Sequence, residues 1–153
     1  MDYSKIGTAA RVKLTIEAAA SQDFETVKKL VETCPRSKVD IQSLEYLDKT
    51  RMLMNVAARF EMEMRGIALA VQASDNPPPI MAQMNAAKVV WLEFCSHHDI
   101  DPEVLIQTAG GHHPLVKQFL GWCCLTPDEA LVAHWRKVFH AASTGDLVTE
   151  RRH

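Results

Sequence analysis

The chain has 153 residues, 47% of them hydrophobic and 24% charged, with a formal net charge of −2. This balance belongs to globular proteins rather than disordered ones, and a chain of this length buries roughly 70% of its unfolded surface without a disulfide or metal staple. Basic and acidic residues number 11 and 11 up to Asn76, then 6 and 8 beyond it. Neither half carries the basic excess of a phosphate-binding surface, so nucleic acid is not an expected partner.

Met1-Asp2-Tyr3-Ser4-Lys5 lacks the basic start and apolar run of a signal peptide. No stretch approaches the roughly 18 consecutive apolar residues of a membrane span. These features lead to the expectation of a cytoplasmic protein without membrane contact. The four cysteines (Cys34, Cys95, Cys123 and Cys124) fit that compartment as reduced thiols. Cys123 and Cys124 are neighbours, and a disulfide between them would be strained.

In chain order, the first expected helix runs from residue 4 or 5 to 20, with Val12, Ile16 and Ala19 on one face and Ala9 and Ala20 at its edges. Asp23 caps a second helix over 24–34, whose stripe is Phe24, Val27, Leu30 and Val31 and which Pro35 ends. Asp40 caps the third and longest, from Ile41 to Ala73, about 50 Å at 1.5 Å per residue. Leu53, Val56, Phe60, Met64, Ile67 and Val71 form its main stripe. A second flank holds Leu47, Met54, Ala57, Ala58 and Ala68. A helix apolar on more than one face is central to a bundle or shared with a partner. Gly66, which costs about 1 kcal/mol relative to alanine, fits close packing against a crossing helix. The alternative is a hinge or a break into two helices.

Asp75-Asn76-Pro77-Pro78-Pro79 predicts a stiff extended connector joining two halves of one body. The fourth helix follows over 80–97, with Ile80, Met84, Ala87, Trp91 and Phe94 facing the core. Asp101-Pro102-Glu103 starts a short helix that Gly110-Gly111 stops, and Pro114 opens another to about residue 124. Thr126-Pro127-Asp128-Glu129 reads as a capping box for a last helix carrying Leu131, Trp135, Val138 and Ala142 on its inner side. Residues 143–153, starting at Ser143 and containing Gly145, read as a frayed polar tail. No segment alternates as a strand does.

Chemistry is spread thinly over this frame. Cys95 and His98 stand one helical turn apart, with His97 between them and His112 and His113 following. Thiolate and imidazole are zinc ligands, which makes Cys95, His98, His112 and His113 the metal candidates. No CxxC pair or HExxH accompanies them, and the commoner use of such residues is as helix caps and small core groups. Asp99, Asp101 and Glu103 alternate like a calcium loop, but Pro102 interrupts the pattern and Asp101 serves better as an N-cap. Gly110-Gly111 between two short helices suggests a helix-turn-helix. Its second helix, however, offers only Lys117 and Gln118 among Leu115, Val116, Phe119, Leu120 and Trp122, too apolar for a recognition helix. No phosphate loop or nucleophile elbow follows the glycines, and a Cys123–His113 dyad would need a third orienting group. Met54, Met62 and Met64 are the candidate interaction residues. Met62 and Met64, two apart, lie on different faces of the long helix, so at least one is exposed.

The alanine-rich opening Ile6-Gly7-Thr8-Ala9-Ala10-Arg11, followed by Val31-Glu32-Thr33-Cys34-Pro35-Arg36, resembles the start of small uncharacterised proteins of bacterial prophages and other mobile elements. The likeness spans about the first 40 residues. It implies a bacterial or phage origin and an accessory role, and carries no catalytic residues with it.

The sequence thus predicts an all-α, single-domain bundle of five to seven helices over residues 1–142, built on one long central helix. The expected function is a non-enzymatic protein-interaction or regulatory module, homodimeric through that helix, with no cofactor. The alternatives are a metal-dependent or thiol enzyme at Cys95, His98, His112 and His113, and a helix-turn-helix DNA-binding regulator.

Overall fold

Sparse glycine and proline leave long runs of this chain free to coil, and it does so. A computed structural model describes residues 2–34, 41–122 and 126–144, those at 41–44 by backbone alone. Seven α-helices occupy the described residues, and no strand occurs among them. They are α1 (Thr8–Ala20), α2 (Phe24–Glu32), α3 (Ile41–Ala73), α4 (Pro78–His97), α5 (Pro102–Gln107), α6 (Pro114–Leu120) and α7 (Glu129–Thr144).

The central rod is α3, unbroken over 33 residues. Its predicted stripe is the core of the molecule: Leu53, Val56, Phe60, Met64 and Val71 are buried, and Ile67 packs beside them. Ala57 and Ala68 from the second flank are buried too, whereas Leu47 and Ala58 face outward. α1, α4, α5, α6 and α7 all pack against α3, and α2 packs on α1.

Aromatic rings join the three longest helices. Phe60 of α3 stacks on Trp91 of α4 with ring centroids 4.5 Å apart and planes 4° from parallel. Phe139 of α7 sets its edge against both, at 5.7 Å and 6.3 Å. Such contacts add roughly 0.5–1.5 kcal/mol each beyond the area they bury. Trp135 anchors the other end of α7, its indole Nε1 donating to Gln83 Oε1 at 2.9 Å.

Several expectations shift. The first helix starts at Thr8, not residue 4 or 5: Tyr3–Lys5 form a separate 3-10 turn capped by Asp2, and Ile6 is extended. The cause is Arg11. Its side chain is 1% exposed and its Nη2 donates to the Tyr3 carbonyl at 2.6 Å, holding the turn aside. Nη1 donates to the Leu30 carbonyl at 2.6 Å and to Thr33 Oγ1 at 3.0 Å. Both lie at the carbonyl end of α2, where the helix dipole favours a cation. The guanidinium also sits 5.8 Å from the centre of the Tyr46 ring, within cation–π range. Tyr46 Oη in turn shares a 2.7 Å hydrogen bond with Thr15 Oγ1.

The proline run is less a connector than a helix start. Pro78 and Pro79 lie in the first turn of α4, where a missing N–H costs nothing. In the last helix the cap is Asp128 rather than Thr126: its Oδ1 accepts from Ala130 N at 2.8 Å and Leu131 N at 3.1 Å. The inner face of α7 is rotated accordingly. Val132, Trp135, Phe139 and Ala142 are buried, while the expected Leu131 and Val138 are only partly so. α7 continues through Ser143 and Thr144, so those two residues are not tail. α6 is shorter than expected and ends at Leu120. Gly110 and Gly111 do stop the α5 turn, at φ +89° and +79°, a conformation open to glycine. Asp40, Pro35 and residues 145–153 lie outside the described residues.

Replacing Arg11 by methionine strands the Tyr3 and Leu30 carbonyls without their donor. Urea unfolding should show a loss of about 2–4 kcal/mol. Lysine, a single point of charge, should recover little of it.

Candidate interaction surface and placement of the histidines

α3 turns two unlike faces outward. In its first half the exposed residues include Glu45, Asp48, Lys49 and Arg51. From Asn55 to Ala73 nine residues are exposed, and Arg65 is the only charged one. Ala58, Met62, Gly66, Leu69 and Ala73 follow one another there at spacings of four, four, three and four, which keeps them on one side of a helix. Met62 is 56% exposed and Leu69 54%. Ion pairs within the helix close the edges. Arg65 Nε donates to Glu61 Oε1 at 3.1 Å and Arg59 Nε to Glu63 Oε1 at 2.8 Å, so the face is electrically quiet.

The three methionines therefore separate. Met62 lies on this outer face, Met64 is fully buried in the core, and Met54 packs partly against it. Gly66 does not serve the purpose expected of it. A Cβ at Gly66 would meet nothing within 4 Å among the described residues, so no described helix crosses there, and α3 runs through it as one helix.

The metal candidates occupy different surroundings. Cys95 is fully buried in the core, and burial, with Asp101 adding to it, pushes its thiol up to about 12. At such a value it is an inert thiol rather than a nucleophile. His98 caps α4 with its ring 4.6 Å from that of Phe94. His113 caps α6, its Nδ1 accepting from Leu115 N at 3.1 Å. His112 sets its ring edgewise to Phe60 at 5.7 Å, with a buried Nδ1 that has no hydrogen-bond partner among the described residues. Among the described residues, no group of three or more histidine, cysteine or acidic side chains is placed to hold a metal ion. Cys123 and Cys124 lie outside the described residues, so a Cys123–His113 pairing has no described geometry. Asp101 acts as an N-cap, accepting from Glu103 N at 2.9 Å, and Asp99 points into solvent near Lys13. In α6, Val116 and Phe119 face the core, leaving Lys117 as that helix's only basic group. No helix among the described residues is long and apolar enough to cross a membrane.

Arg11 is the residue that sequence patterns miss altogether. A lone arginine in an alanine-rich helix looks solvated, and only the meeting of α1 with the end of α2 shows its partners. The outer face of α3 was more accessible to reading, through the odd spacing of Met62 and Met64.

Burial lowers the affinity of His98 for a proton, with His97 and Lys49 adding to the effect. It lowers that of His112 against the opposing pull of Glu103 and Glu61. A base depressed in the folded state gives stability that is complete above its unfolded value, about 6.5, and is lost as pH falls through the lowered one. Urea midpoints should therefore hold steady above about pH 7 and fall below about 6.5. His98→Gln should flatten part of that slope, and an unchanged slope in the variant would contradict the assignment.

Comparison of the chain with protein-family models, with curated proteins and with solved structures returns no match.

Proposed function

We propose that this chain is a non-enzymatic protein-interaction module that pairs with a second copy through the outer face of α3. The observation that carries the reading is Gly66. A glycine in the middle of a long helix costs about 1 kcal/mol relative to alanine, yet among the described residues nothing lies within 4 Å of the place its Cβ would take. Close approach of another backbone is the usual return for that cost. An isologous contact sets one patch against itself, so large residues need small ones across the two-fold axis. On this face Met62 and Leu69 alternate with Ala58, Gly66 and Ala73. The internal ion pairs let two copies meet without like charges facing unpaired.

The cytoplasmic location belongs to the same proposal, supported by Cys34 and Cys95, both buried as free thiols. An accessory role in a prophage or other mobile element rests on the N-terminal resemblance alone and is compatible with such a module.

Sedimentation equilibrium tests the pairing. The wild-type chain should weigh twice its monomer mass at micromolar concentration. Leu69→Lys places two buried charges in a symmetric contact and should raise the dissociation constant about a hundredfold or more, with helical content unchanged. Gly66→Ala should stabilise the isolated chain by about 0.5–1 kcal/mol while weakening the pair. A wild-type monomer at high concentration, or a pair indifferent to Leu69→Lys, would overturn the reading.

A further inference from the structure

α4 and α7 run in the same sense, as the order of their contacts shows: Gln83 with Trp135, Glu93 with Arg136, then Phe94 with Phe139. Their carbonyl-terminal halves line a groove of about 560 Å³, a size within the roughly 300–1,000 Å³ of small-molecule sites. Phe94 and Phe139 form its apolar wall, with ring centroids 6.0 Å apart and planes inclined at 69°. His97, His98, His140 and Arg136 stand around the opening.

The polar chemistry of this rim is one-sided. Among the described residues that line it, the one carboxylate is Glu93, already held by Arg136 through Nε at 3.1 Å and Nη2 at 2.8 Å. Among the described residues, Nη1 of that guanidinium has no hydrogen-bond acceptor. The ionisable groups that remain are imidazoles. His97 lies in the last turn of α4 and His140 near the carbonyl end of α7, and both line the groove. An apolar wall of two rings beneath a donor-rich rim complements a flat apolar body with one acceptor group. A cation would meet no free carboxylate, and a purely apolar molecule would leave the donors unused.

We propose that this groove binds a small planar aromatic carboxylate, its ring against Phe94 and Phe139 and its carboxylate received by Arg136, His97 and His140. The site lies on α4 and α7 with Met52 of α3 at its edge and shares no residue with the Ala58–Ala73 face of α3, so either reading can fail alone.

Equilibrium dialysis with three probes that share one ring system tests it: 1-naphthoate, neutral 1-naphthylmethanol and cationic 1-naphthylmethylammonium. At pH 6.5 the carboxylate should bind about tenfold or more tightly than the alcohol, as charge-assisted hydrogen bonds predict, and the ammonium most weakly. His97 and His140 are both exposed, so the His97→Ala/His140→Ala double variant should keep the wild-type urea midpoint. In it, carboxylate binding should drop to the level of the alcohol. Equal binding of the three probes, no binding of naphthoate at millimolar concentration, or unchanged naphthoate affinity in the folded double variant would each overturn the proposal.

Discussion

The stacking of Phe60 on Trp91 is the contact from which the rest of the arrangement follows. Phe60 lies 13 residues before the end of α3, and Trp91 lies 13 residues after the start of α4. The two rings meet because the hairpin folds about residues 74–77 with its arms in register. A longer or shorter connection would slide the arms past each other and part the rings. The early start of α4, with two prolines taken into its first turn, therefore sets the register as well as the turn. Once the rings meet, α7 has a defined seat, because Phe139 fits edge-on against both.

At the other end of the molecule a buried cation does comparable work. Arg11 ties the N-terminal turn, the end of α2 and the ring of Tyr46 around α1, and it does so without a carboxylate among the described residues. Carbonyl oxygens, already oriented by the helix they terminate, solvate the guanidinium in place of water. Burial of a charge is costly unless each of its donors is met. The short distances to Leu30 and Tyr3 indicate that the main ones are.

Most of this architecture was legible in the sequence. The α3 stripe is a clean helical period, and Asp23, Asp101-Pro102 and Gly110-Gly111 mark helix ends by local chemistry alone. The failures share a cause. Leu47 belongs to an apolar flank by spacing but is exposed, and spacing carries no information about neighbours. On α7 two stripes share Trp135 and Ala142 and fit a helical period equally well, and the rings of Phe60, Trp91 and Phe94 against Phe139 select the one with Val132 and Phe139. Asp128 rather than Thr126 caps α7, because its carboxylate stands two and three residues before the amides it accepts from, Ala130 N and Leu131 N. Gly66 fits a crossing helix by every local rule, and among the described residues none crosses there. The metal candidates looked like a cluster because they are near in sequence. Helices send them apart, Cys95 into the core and His113 to the end of a different helix.

The common direction of α4 and α7 carries a consequence for how the protein is made. Two helices that run the same way cannot be joined by a tight turn. The chain between them must travel back along the bundle, and α5 and α6 lie on that return path. Contacts such as Gln83 with Trp135 join positions 52 residues apart, and closing so large a loop is slow compared with forming the α3–α4 hairpin. During synthesis the hairpin is complete well before α7 leaves the ribosome. For that interval the flanks of Phe60 and Trp91 that Phe139 later covers are open to water, and the nascent chain is at its most adhesive.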